Sequence, residues 1–210
     1  MKRGYQGRFK QRRGYTKQSS SIPKQVAWLT KQQRITMGKE MADRNYVTYG
    51  QNATVDATGT IKDMTNISVG TGLGSRKDLK IKLSTLQYRF ILTAADTVNT
   101  LRVLVVQAKN TNTGSPSDYF RSSSGGSALG YSEQANIENC YVLADHIIHA
   151  GSQQASCEGK ITRFPVKTLT YNTTLGSGIT QGGIYICLWS DSNVASHPTV
   201  TGFAKLKYYD

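Results

Sequence analysis

Acidic residues are absent from the first 39 positions of this 210-residue chain; the first is Glu40. Cysteine, histidine and proline are also scarce, at three, three and four copies. Cys140, Cys157 and Cys187 cannot all pair and show no Cys-x-x-Cys spacing, which argues against a disulfide framework or a zinc ribbon and for a reducing compartment. The three histidines, His146, His149 and His197, come with no Gly-x-Ser-x-Gly or His-Glu-x-x-His signature, so no catalytic residue is assigned and no enzyme is expected. No run of 18 apolar residues is present and the N-terminus lacks the apolar stretch of a signal peptide, so neither a membrane span nor secretion is indicated. The Asn-x-Ser/Thr triplets at Asn52, Asn66 and Asn172 then read as chance matches. Long segments of 3.6-residue period are missing too, which disfavours βαβ units and a parallel sheet.

What is present is a sharp division of charge. Residues 1–39 hold eleven basic residues, whereas the other 171 carry 15 basic and 13 acidic side chains, against a net charge of +13 for the whole. A nearly neutral body therefore bears a local cationic segment, the pattern of a tail that binds a polyanion. After the initiator there is no aliphatic residue before Ile22, so residues 1–21 have nothing from which to build a core and are expected to be disordered when free. Aromatic residues are interleaved with the charges: Lys2, Arg3 and Tyr5, then Arg8, Phe9 and Lys10, then Arg12, Arg13, Tyr15 and Lys17. Cations in such a strip neutralise phosphates while Tyr and Phe stack on unpaired bases, and these ten residues are the candidate nucleic-acid contacts. A solubilising tail or a nuclear-import signal is the plainer alternative. Pro23 and the following KQVAWLTKQQRI predict a short helix.

From Tyr46 onward, runs rich in Val, Ile, Thr, Tyr and Leu alternate with Gly, Asn, Ser and Asp clusters, which is strand and turn chemistry. Strands are predicted near 46–56, 59–68, 79–93, 101–109, 139–149, 160–167, 168–174, 183–190 and 199–209. Leu79, Ile81 and Leu83 are apolar at odd numbers, but Leu86, Tyr88, Phe90 and Leu92 at even ones, so a β-bulge or bend is predicted near Ser84 and Thr85. Lys80 and Lys82 occupy the other face of that strand. Val103–Val106 and Ile184–Trp189 are continuous apolar runs, as strands covered on both faces require. Eight or nine strands without helices imply an all-β chain of two packed antiparallel sheets: a sandwich, jelly roll or barrel. The polar, Gly/Ser-rich stretch 110–130 is expected to project from the surface.

Three further features are weighed and none is assigned a site. Val69–Lys77, VGTGLGSRK, has Gly70, Gly72 and Gly74 ahead of Arg76 and Lys77, but Ser75 stands where a dinucleotide loop needs glycine, and neither GK[ST] nor a helix follows. It reads as a flexible link between strands. His146 and His149, three apart on a strand, point to opposite faces and cannot share a metal. Asp56, Asp63 and Asp191 are acids at loop edges of the kind that ligate calcium, but their spacing fixes no site, and no metal or cofactor is assigned.

Taken in order, the basic arm, TGTIKDMTNISVGTGLGSRKDLKIKLSTLQYRFIL (58–92), LRVLVVQAKNTNTGSPS (101–117) and PTVTGFAKLKYYD (198–210) resemble the capsid proteins of small circular Rep-encoding single-stranded DNA viruses, in particular those with a shell domain similar to that of satellite tobacco necrosis virus. The resemblance implies a basic arm over 1–39, a shell domain over 40–210 folded as a single eight-stranded antiparallel jelly roll, and a T=1 shell of sixty copies. Its implied partners are a single-stranded viral genome, DNA by the resemblance although RNA satellites share the shell, further copies of the chain, a nuclear import receptor and a cell-surface receptor, with no membrane. It places the protein in the virion and, during assembly, in the host nucleus. A non-capsid single-stranded nucleic-acid-binding protein and a cellular jelly-roll lectin are the alternatives from other classes.

Overall fold

The computed structural model describes residues 45–72, 74–95, 99–109, 118–119, 137–151, 154–176, 178–192 and 197–210. The arm and the helix predicted after Pro23 lie outside the described residues. Ten strands follow in order: β1 Tyr46–Thr54, β2 Thr60–Asp63, β3 Lys80–Thr93, β4 Asn99–Ala108, β5 Cys140–Ala150, β6 Ala155–Ile161, β7 Thr168–Tyr171, β8 Ile179–Gln181, β9 Ile184–Ser190 and β10 Thr199–Tyr209.

They form two antiparallel sheets. The first runs β1-β10-β3-β7-β8, with β6 also pairing β3; the second runs β2-β9-β4-β5. The pairings nest, β1 with β10, β2 with β9, β3 with β6 and β7, and β4 with β5, as though one long hairpin were wound around a core. That winding is a jelly roll. β6 and β7 together fill the place of one strand, since β6 pairs Leu86–Leu92 of β3 and β7 pairs Lys80–Lys82. β8 adds a short outer strand beyond β7.

The change of partner falls at a bulge. Lys207 pairs with Thr85 and Tyr208 with Leu83, leaving Ser84 as the extra residue on β3. This is where the apolar phase of the sequence slips, and the bulge lets both Leu83 and Leu86 point into the core. Inward residues otherwise keep a period of two: Leu86, Tyr88, Phe90 and Leu92 on β3, and Val200, Ala204, Leu206 and Tyr208 on β10, meet Leu101, Val103 and Val105 of β4 and Ile184, Ile186 and Leu188 of β9. Gly202 interrupts the β10 series. A Cβ there would lie 2.2 Å from the Arg89 carbonyl oxygen, so β10 and β3 approach this closely only because the side chain is absent.

The second sheet is covered on both sides, as its continuous apolar runs require. On the face away from the core, Leu104, Val106, Ala108, Cys140, Tyr185, Cys187, Trp189 and Tyr119 are buried together. Tyr119 comes from the stretch expected to project, yet it is fully buried, its ring stacked on Tyr185 with centroids 5.2 Å apart. Asn139 ties down the neighbouring backbone by donating from Nδ2 to the Asp118 carbonyl over 3.1 Å. The expectation of a wholly projecting loop is corrected at this point: an aromatic side chain amid polar residues finds the apolar face of the sheet.

Candidate nucleic-acid interface

Lys2, Arg3, Tyr5, Arg8, Phe9, Lys10, Arg12, Arg13, Tyr15 and Lys17 all lie outside the described residues. What the structure describes is where the chain enters the body. Asn45 accepts a hydrogen bond from the Tyr208 amide over 3.1 Å, and Tyr46 opens β1, the edge strand of the first sheet. Register then decides which side chains share that sheet's outer face. With Leu206, Ala204 and Val200 turned inward, Lys207, Lys205 and Phe203 turn outward, and the pairing of β10 with β3 carries Thr85, Gln87 and Arg89 outward beside them. The pairing of β3 with β6 adds Lys160 and Glu158. Beyond the bulge, Lys80 and Lys82 join the same face, because their neighbours Ile81 and Leu83 are buried.

Every charged residue on the strands of this sheet therefore points away from the core: Lys80, Lys82, Arg89, Lys160, Lys205 and Lys207 against Glu158 alone, a net +5. The strands of the second sheet carry Lys62 and Arg102 against Asp63 and Asp145, a net of zero. Arg102 and Asp145 neutralise each other directly, Nε donating to Oδ1 over 2.9 Å and Nη2 to Oδ2 over 2.6 Å. One face of the sandwich is cationic and the other is not.

Aromatic rings punctuate the cationic face. Lys205 Nζ lies 3.7 Å from the centroid of the Tyr46 ring, a cation–π contact across the β1–β10 pair. Phe203 is 48% exposed at the centre of the sheet, an unusual place for a phenylalanine. Tyr209 is half-buried at the end of β10.

The motifs set aside in the sequence behave as structure. In the Gly-rich link, Gly70 N donates to Arg76 O over 2.9 Å and Arg76 N to Ser68 O over 3.1 Å, so the loop closes on itself. The Arg76 side chain turns inward, away from any phosphate. Its Nε donates to Ile67 O (2.8 Å), Nη1 to Asp78 O (2.6 Å) and Nη2 to Thr173 O (2.5 Å) and Leu175 O (3.2 Å), while the guanidinium stacks over Tyr171 at 3.8 Å. The Asp210 carboxylate accepts from the amides of Lys77 and Asp78, so the loop's anion-binding amides are satisfied within the chain.

His146 and His149 lie on opposite faces of β5. The first meets the Tyr88 hydroxyl at Nε2 (2.7 Å) within the sandwich, and the second meets Thr100 Oγ1 at Nδ1 (3.0 Å) outside it. Cys140 and Cys187 are buried, Cys157 is half-buried, and all three are free; burial raises each thiol's pKa. Asp56 accepts from Thr58 Oγ1 and from the amides of Thr58 and Gly59, and the Thr58 hydroxyl leads in lowering its pKa. Asp63 accepts from the Thr65 amide and hydroxyl, while burial raises its pKa. Asp191 accepts from Thr100 N over 3.0 Å. Each carboxylate is thus engaged by nearby backbone, and among the described residues no three metal-ligating side chains form a group that could hold an ion.

The alternation of Lys205 and Lys207, and of Lys80 and Lys82, was legible in the sequence. Arg89, Lys160 and Phe203 were not singled out, since only the cross-strand register gathers them into one surface.

No protein-family model and no curated protein matches the chain. Among solved structures it is similar to a chain in the cryo-EM atomic structure of broad bean stain virus, with 10% identity over 76% of this chain and 84% of that one and a TM-score of 0.38. It is also similar to a chain of a full particle of Israeli acute paralysis virus heated to 63 degrees, with 12% identity over 79% of this chain and 67% of that one and a TM-score of 0.36. Both scores are low, and the jelly roll is assigned from the strand order and register of the chain itself.

Proposed function

We propose that this protein is a viral capsid protein, whose shell domain over 40–210 assembles with copies of itself and whose arm over 1–39 holds a single-stranded genome inside. The observation that carries the proposal is the one-sided charge: the cationic segment joins the body at β1, the edge of the very sheet whose outer face bears the six cations. Turned inward, that face would add its cations to those of the arm, while the neutral strands of the other sheet limit repulsion between neighbouring subunits. The jelly-roll winding and the resemblance in the sequence support the same reading.

The mechanism is electrostatic and needs no catalytic residue. Sixty arms of eleven basic residues would supply about 660 positive charges, enough to offset several hundred phosphates by counterion release. Tyr5, Phe9 and Tyr15 add sequence-tolerant stacking on unpaired bases. The basic arm also fits a nuclear import receptor, which would place assembly in the nucleus, and single-stranded DNA is the genome the resemblance favours. Removing residues 1–17 tests the proposal: the β domain should still fold, while its particles come out empty or misassembled. Normal nucleic-acid content in that truncation would overturn it.

A further inference from the structure

The cationic face is not uniform, because it contains a built groove at its centre. Gln87, Arg89, Glu158, Lys160 and Phe203, with the backbone of Tyr88 and Gly159, line an open depression of about 440 Å³, within the size range of ligand clefts. Two cross-strand rows frame it. Phe203, Arg89 and Glu158 stand abreast on β10, β3 and β6, and Lys205, Gln87 and Lys160 stand abreast in the next outward row. Three adjacent strands span roughly 10 Å and two residues along a strand roughly 7 Å, so the mouth is the size of one nucleotide rather than a chain of them.

The chemistry of the walls is specific. Arg89 faces Glu158 directly across the β3–β6 pair, yet the two form no ion pair, and among the described residues neither they nor Lys160 make a side-chain hydrogen bond. A half-exposed phenylalanine, two unengaged cations, a carboxylate and an amide therefore converge on one open space.

We infer that this groove is a nucleotide-binding subsite of the shell domain: one base of a single strand stacks on Phe203, its phosphate rests against Arg89 and Lys160, and Glu158 and Gln87 meet the base edge. The inference rests on the proposed function and adds to it a fixed binding position on the wall, independent of the arm. Stacking of this kind tolerates any base. Phosphate contacts from two cations make about 1.4 units of the log–log salt slope for single strands.

Ultraviolet crosslinking of the full-length protein to mixed-sequence single-stranded oligonucleotides, with adducts mapped by mass spectrometry, tests it. The expected result is adducts on the peptide carrying Phe203 as well as on residues 1–17, with Phe203→Leu abolishing only the former and Arg89→Gln with Lys160→Gln lowering the salt slope by about 1.4. Adducts on the arm alone, or a Phe203-peptide adduct unchanged in Phe203→Leu, would overturn the groove and leave the capsid proposal standing. Adducts at the groove without the arm would overturn the arm's role and leave the groove standing. No adduct anywhere would overturn both.

Discussion

Replacing Arg76 by leucine should be among the most damaging single changes in the β domain. The guanidinium is wholly buried, donates to four carbonyls and stacks at 3.8 Å over Tyr171. Only the bond to Ile67 O is fully buried, so the other three carbonyls can rehydrate in part when the arginine is gone. An orphaned buried carbonyl costs about 1–3 kcal/mol. Loss of a desolvated cation–π contact adds about 2 kcal/mol. Against this stands relief from burying a cation with no carboxylate partner among the described residues, several kcal/mol in its own right but already offset by the four bonds. The balance is a loss of about 3–4 kcal/mol, or a fall in Tm of roughly 10 °C for a domain of this size. Arg76→Lys keeps the charge but cannot donate in four directions, and should recover less than half of the loss. Urea titration of the unassembled chain, followed by far-ultraviolet circular dichroism, reads these values. A loss under about 1 kcal/mol with an unchanged m-value would refute the claim that the guanidinium pins the β2–β3 and β7–β8 connections together.

Gly202→Ala drives a Cβ against β3 backbone and should cost about 3 kcal/mol, whereas Gly50→Ala, with nothing within 4 Å, should be neutral or stabilise by about 0.5 kcal/mol; equal Tm shifts in the two would contradict the close approach of β10 to β3. Alkali should unfold the domain in a defined window. Cys140 and Cys157 are pushed up from 9.0 to about 11, and Tyr88 and Tyr208 from 10.0 to about 12, all chiefly by burial. The folded state holds these protons more tightly than the unfolded chain, so stability is full below about pH 9 and drains away as pH rises through 9–12. Tyrosinate absorbance should rise together with loss of the β signal, and titration of all tyrosines near pH 10 in a folded chain would contradict it. Changing Lys80, Lys82, Lys205 and Lys207 to glutamine should lower the salt slope of single-strand binding by up to about 3 units with the arm intact; an unchanged slope would remove the sheet face from the interface.

The parts of the fold legible in the sequence are those where packing repeats at period two. Ala204, Leu206 and Tyr208 announced a half-exposed last strand, and the phase slip after Leu83 announced the bulge at Ser84, because a core face must resume on the same side after one extra residue. β6 was mostly missed: its inward residues are Ala155, Cys157, Gly159 and Ile161, too small to read as an apolar series, and Gly159 is small because Tyr88 fills its space. The strand expected over 160–167 is instead the end of β6 and the turn into β7. Buried Arg76 was equally illegible, since its carbonyl partners lie two, nine, 97 and 99 positions away and carry no side-chain signature. The basic segment over 1–39 stands out in the sequence by charge alone and lies outside the described residues. The cationic sheet face needed register, which places Lys205, Gln87 and Lys160 in one row across three strands that are remote in sequence.

Sedimentation of the purified full-length protein with its co-purifying nucleic acid, followed by nuclease challenge of each fraction, tests the central claim most directly. A closed shell lined by the cationic sheet predicts fast-sedimenting particles of about sixty chains whose single-stranded nucleic acid survives the nuclease. Protein found only as single chains or small oligomers, with its nucleic acid fully digested, would contradict it.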